Sequence, residues 1–151
     1  MRAALFSPIK EGDEAIGPLV ETAIFSQWFH DQQAERLSYA RWKDGEVDLV
    51  YLDQRRKPSW LVEVKWSDRA AKNRDEISGL LEFCRANRLK DAVVTTLTVS
   101  EVRTYGEVRV EFVPTSLYCL SVGHNLIRHR RAWSSSPLLD RGPKMMVGPE
   151  T

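Results

Sequence analysis

The chain has 151 residues, 42% of them hydrophobic and 28% charged, with 22 Lys+Arg against 21 Asp+Glu and a formal net charge of +1. That length suits one domain with a core that needs no covalent staples, and the composition excludes a disordered chain, a collagen-like repeat and a disulfide scaffold. Near-neutrality excludes a uniformly basic nucleic-acid coat, though not a local basic groove. Residues 1–15 read as loop, with Pro8, Gly12 and the charges Lys10, Glu11, Asp13 and Glu14. From Gly17 and Pro18 the pattern turns helical. Ile16, Leu19, Val20, Ala23, Ile24 and Phe29 fall on or near one stripe at the 3.6 period, and Pro18 sits in the first turn, where its missing N–H costs least. The spacing predicts a helix through about His30.

Leu37 to Trp42 reads as a strand, Lys43-Asp44-Gly45 as a hairpin turn, and Glu46 to Leu52 as the returning strand. After a charged turn from Asp53 to Pro58, Ser59 to Trp66 alternates cleanly. Trp60, Val62, Val64 and Trp66 point one way, and Leu61, Glu63 and Lys65 the other. A second helix is expected from about Arg74 to Asn87, with Ile77, Leu80, Leu81 and Cys84 on one face. Asp91 to Leu97 and Val108 to Val113 read as two further strands. Short turns make the first three strands antiparallel, and the intervening helix allows a parallel crossover to the fourth. The expected fold class is α/β, a mixed sheet flanked by helices.

Beyond about Ser121 the apolar pattern fades, and Ser134 to Pro137 and Arg141-Gly142-Pro143 look like an unstructured tail. Residues 1–120 are therefore expected to form the domain and 121–151 a basic tail, which holds five Lys/Arg and two Asp/Glu. Its cluster Arg128-His129-Arg130-Arg131 has two open readings, contact with a phosphate backbone or a terminus without function. Cys84 and Cys119, with no CxxC pair, read as reduced thiols packed as small hydrophobes. No apolar run approaches the roughly 20 residues that span a bilayer, and the N-terminus is too poor in apolar residues for a signal peptide. The expectation is a cytoplasmic protein with no membrane partner.

The residues able to carry chemistry are three acids and a lysine. Glu63 and Lys65, two apart on one strand, leave the same face about 6.6 Å apart along it. The turn from Asp53 to Pro58 folds the preceding strand back, bringing Asp48 near Glu63. Glu21 lies on the first helix, just past Pro18, within reach of the sheet edge. Mg²⁺ takes oxygen ligands from one or two carboxylates and keeps several waters. Asp48, Glu63 and the Val64 carbonyl offer such a set, with Lys65 to position a water and offset the charge of a phosphodiester. Glu-x-Lys alone recurs by chance about once in every two chains of this length. Charges inside so apolar a strand need a reason, however, because an unpaired buried charge is costly. Glu46 shares a face with Asp48 but follows Gly45 at a turn and is read as solvated. Lys72, Asn73 and Arg74 open the second helix and are read as either phosphate contacts or a solvated helix entry. The three histidines lack zinc-ligand spacing, and the five tryptophans read as packing residues before base-stacking ones.

These residues resemble the PD-(D/E)XK nuclease superfamily. Asp48 in Glu46-Val47-Asp48-Leu49-Val50 matches its motif aspartate, Glu63-Val64-Lys65 its (D/E)XK, and Glu21 the glutamate of its first helix. The superfamily's motif proline is replaced by Val47. The resemblance covers about residues 16–98. It implies the αβββαβ restriction-endonuclease-like core, Mg²⁺ or Mn²⁺ as cofactor, DNA as substrate and, as in many such nucleases, a homodimer. A narrower resemblance rests on Gly17-x-Leu19-Val20-Glu21, Tyr39-x-Arg41-Trp42, Glu46-Val47-Asp48 and Val62-Glu63-Val64-Lys65-Trp66. These look like the domain of unknown function at the C-terminus of bacterial and archaeal AAA-type P-loop ATPases. The chain holds no Gly-x₄-Gly-Lys-[Ser/Thr] of its own. The resemblance therefore implies a stand-alone or truncated form of that domain, a separate ATPase partner and, as the alternative to catalysis, an accessory or nucleic-acid-binding role.

Overall fold

The computed structural model describes residues 15–28, 34–43 and 45–132. Helix α1 (Ile16–Gln27) is followed by a short 3-10 turn (Ala34–Arg36) and strands β1 (Leu37–Trp42), β2 (Gly45–Leu52) and β3 (Pro58–Glu63). Helix α2 (Arg69–Lys72), a 3-10 turn (Arg74–Ile77) and helix α3 (Ser78–Asn87) cross over to β4 (Asp91–Thr96). Strands β5 (Glu101–Tyr105) and β6 (Val108–Pro114) and helix α4 (Thr115–Ala132) complete the described fold. The strands form one mixed sheet in the order β1-β2-β3-β4-β6-β5. The first three are antiparallel, β4 runs parallel to β3 and to β6, and β5 returns antiparallel along the far edge. The expected α/β class, with helices flanking a mixed sheet, is what the chain adopts.

Both faces of the sheet are covered, which explains the nearly continuous apolar runs of its central strands. On one face Val47, Val50, Leu61, Val94, Val110 and Phe112 pack against Ile77, Leu80, Leu81 and Cys84 of the crossover. On the other, Leu49, Val62, Val64 and Val113 meet Ile24 and Trp28 from the first helix and Tyr118 and Val122 from the last. Trp60 joins this second layer, stacked on Tyr51 at 5.2 Å and tilted against Trp28 at 5.1 Å. Trp42 packs beside Phe83, so among the described residues Trp66 is the one tryptophan that is largely exposed. Both cysteines are free, Cys84 buried and Cys119 half-buried.

Several boundaries differ from expectation. The boundary drawn at residue 120 falls inside α4, whose Tyr118 and Val122 lie one turn apart and anchor it to the sheet. So narrow a stripe of contact looks, in sequence, like a fading pattern. The edge strand β5 was not expected, because its five residues are exposed or half-buried and carry no inward alternation. The short helix α2 was not expected either, and the second helix begins with a 3-10 turn before becoming α-helical at Ser78. Strand β3 ends at Glu63, not at Trp66. His30, Asp44 and residues 133–151 lie outside the described residues.

Gly45 is required by packing. A Cβ there would stand 2.5 Å from the Trp42 ring across the hairpin, closer than any real contact allows. Helix α3 closes with Leu89 N–H bonded to the Cys84 carbonyl at 2.9 Å and Arg88 N–H to the Arg85 carbonyl at 3.2 Å. This is a Schellman closure with Arg88 in the left-handed region at φ 58°. Glycine is the residue that such a position favours, and a side chain there costs about 1 kcal/mol.

Candidate functional site at the end of strands β2 and β3

A β-bulge shapes the site. Ser38 pairs with Val50 and Ala40 with Val47, so Asp48 and Leu49 together oppose the single residue Tyr39. The extra residue lets Val47 and Val50 both face the α3 side of the sheet, and it re-aims Asp48 towards the end of β3. There Asp48 Oδ2 accepts the Val64 N–H at 2.7 Å. The backbone ladder between β2 and β3 runs only to the Leu49–Val62 pair, so beyond it a carboxylate takes the place of a carbonyl. On the other side of β3 the ladder to β4 stops at Glu63–Val94, and Thr95 takes over. Its buried hydroxyl accepts the Lys65 N–H at 2.9 Å and donates to the Lys65 carbonyl at 3.1 Å. Asp48 and Thr95 thus hold residues 64 and 65 from both flanks by side chains alone, and this is why β3 ends where the Glu-x-Lys segment begins.

Glu63 is only 5% exposed. Its Oε1 meets Lys65 Nζ at 2.8 Å, while its Oε2 is buried without a hydrogen-bond partner among the described residues. Burial, reinforced by the Asp48 charge, pushes the Glu63 carboxyl up from its ordinary 4.5 to about 7, against the pull of Lys65. Burial likewise raises Asp48, opposed by the Val64 N–H and Lys65. Burial works against the Lys65 ammonium, yet Glu63 and then Asp48 hold its pKa above the usual lysine value. Glu21, exposed on α1, is raised by partial burial and then by the charges of Asp48 and Glu46. All four residues singled out in the sequence therefore lie within one electrostatic neighbourhood.

Two further residues, Glu46 and Thr95, belong to this neighbourhood. Glu46, expected to be merely solvated, is exposed but accepts a hydrogen bond from the Tyr39 hydroxyl, and its charge acts on Glu21, Asp48 and Glu63. The signal for it was its i, i+2 relation to Asp48. Thr95 had no strong signal beyond two threonines in an otherwise apolar strand. Asp68 organises the loop after β4. Its carboxylate accepts the N–H groups of Leu97, Thr98 and Val99 and the Thr98 hydroxyl, and the Thr98 contacts hold its pKa below the usual range.

Among the described residues no three His, Cys, Asp or Glu side chains form a ready-made metal cage. A hard cation that keeps most of its waters needs only one or two carboxylates. The unpartnered Oε2 of Glu63, beside an Asp48 whose charge disfavours its ionisation, is the kind of orphaned oxygen that such a cation satisfies.

Comparison with known families assigns the stretch 16–118 to a domain of unknown function, DUF4143, and the chain belongs to that family. Comparison with curated proteins and with solved structures found no match. Among the described residues no helix is long and apolar enough to cross a membrane.

Proposed function

We propose that this domain is a Mg²⁺- or Mn²⁺-dependent phosphodiesterase that cleaves DNA in the manner of PD-(D/E)XK nucleases, in the cytoplasm and alongside a separate ATPase. The observation that carries the reading is the end of β3. A buried glutamate has one oxygen on a lysine and the other unpartnered, next to a half-buried aspartate that grips the backbone between them. The helix–three strands–helix–strand order of the first 96 residues supports it.

Asp48, Glu63 and the Val64 carbonyl would hold the metal, which supplies Lewis-acid polarisation of a phosphoryl oxygen and a more acidic bound water. Glu63 then stays ionised at neutral pH, because the cation offsets the burial that otherwise lifts its pKa. Lys65, held at its backbone by Thr95 and at its ammonium by Glu63, orients the attacking water and faces the charge that builds on the phosphate. Glu21 supports the site from α1 as a further acceptor for water. Trp66, 43% exposed directly after Lys65, offers a ring for an unpaired base. A homodimer would place two such sites on opposite strands of a duplex.

The resemblance of the chain to the C-terminal domain of P-loop ATPases supports one alternative, a non-catalytic accessory or nucleic-acid-binding domain. Incubation of plasmid DNA with the protein and Mg²⁺ or Mn²⁺ separates the two. Cleavage is expected, with Asp48→Ala and Lys65→Ala each lowering the rate by roughly a hundredfold or more, in line with loss of a group that acts on the transition state. Cleavage that survives both substitutions belongs to another site or a contaminant. Absence of cleavage with every metal leaves the accessory role.

A further inference from the structure

A second feature lies at the opposite end of the sheet and is independent of the carboxylates. A cleft of about 660 Å³ opens between the end of α3 and the β5–β6 turn. Arg74, Arg85, Arg88 and Lys90 line it, against one carboxylate, Glu107. None of the four cations forms an ion pair among the described residues. The neighbouring Arg109, by contrast, sits within 4 Å of both Asp91 and Glu111. In a chain whose net charge is only +1, four cations without an ion pair around one concavity are a local excess of positive charge that an anion complements.

Arg88 adds an independent observation. It occupies the left-handed closing position of α3, at φ 58° and ψ 33°, where glycine fits without strain. The chain instead places a guanidinium there, on the wall of the cleft. Leu89, Val108 and the half-buried Tyr105 supply the rest of that wall with apolar and aromatic surface. The volume is in the range of small-molecule sites and larger than one phosphate needs.

The geometry points to a binding site for a small anion with two or more phosphoryl groups, its charges on Arg85, Arg88, Arg74 and Lys90 and any apolar part against Tyr105. Guanidinium forks match phosphoryl oxygens two at a time. Glu107, exposed among the same lining residues, sets a limit on how much negative charge is accepted.

The test is calorimetric titration of inorganic pyrophosphate into the full chain at low salt, with orthophosphate beside it. Pyrophosphate is expected to bind at least tenfold more tightly than orthophosphate. Arg85→Ala combined with Arg88→Gly should weaken it at least tenfold, and Glu107→Gln should strengthen it severalfold. Arg88→Gly alone should raise the melting temperature while weakening binding, which separates loss of the site from loss of the fold. No binding at millimolar pyrophosphate, or equal affinity in the double variant, overturns the proposal. So does a 12-nucleotide single strand whose binding depends on Arg85 and Arg88 but is not displaced by pyrophosphate, since the cleft would then serve a nucleic-acid backbone.

Discussion

The two ends of the sheet handle charge in opposite ways. At the β2–β3 end, Glu63 is buried, Asp48 and Lys65 are half-buried, and each is tied to backbone or to the others. At the α3–β5 end, Arg74, Arg85, Arg88 and Lys90 are all exposed and none is in an ion pair among the described residues. Exposed charges keep their water and cost the fold little, so ligand and salt are the variables that report on them. Buried charges weaken the fold unless something satisfies them, so stability and its pH dependence report on the carboxylate end.

The largest expected effect on stability comes from Glu63. Its folded pKa of about 7 lies above the ordinary 4.5, so folding favours the protonated form. That contribution is complete below about pH 4.5 and is lost as pH rises through 7. In metal-free protein Glu63→Gln should therefore match the parent near pH 4 and exceed it by on the order of 2–3 kcal/mol at pH 8.5, measured by urea unfolding, with the lost Lys65 contact already offset. Equal stability at pH 8.5 would mean that the carboxylate is not strained by burial, and the contrast between the two ends would collapse. A smaller effect is expected at Thr95. Thr95→Val keeps the shape but leaves the Lys65 N–H and carbonyl without their partner, which should cost about 1–2 kcal/mol in the same assay. A cost near zero would mean that water replaces the hydroxyl and that Lys65 needs no clamp. The αL strain at Arg88 is smaller again, and its relief by glycine runs in the stabilising direction.

Much of this was legible from residue order. The alternation from Trp60 to Glu63, the short turn that returns β2 beside β3, and a single 3.6-period stripe from Ile77 to Cys84 are local signals, and each corresponds to a packed element. The approach of Asp48 to Glu63 and Lys65 followed from the short turn between their strands, and Glu21 was added by the motif it shares with the resembled superfamily. What stayed hidden depends on partners distant in the chain. The bulge at Asp48 arises from register against β1, and the Thr95 clamp joins residues 30 apart. The hold on α4 comes from Tyr118 and Val122 meeting a sheet face built from Leu49, Val62, Val64 and Val113, and from the Thr115 hydroxyl donating to the Thr96 carbonyl, all contacts between distant parts of the chain. Likewise β5, an exposed edge strand, takes its hydrogen bonds from β6 and so needs no apolar pattern of its own.

Whether Asp48 and Glu63 hold a metal is measured by calorimetric titration of Mn²⁺ into the full chain near pH 8. One site is expected, lost in Asp48→Ala and at least tenfold weaker in Glu63→Gln, with the metal also removing the alkaline loss of stability that Glu63 imposes on the metal-free protein. Absence of any Mn²⁺ site at millimolar concentration, or binding that Asp48→Ala leaves unchanged, would contradict that expectation.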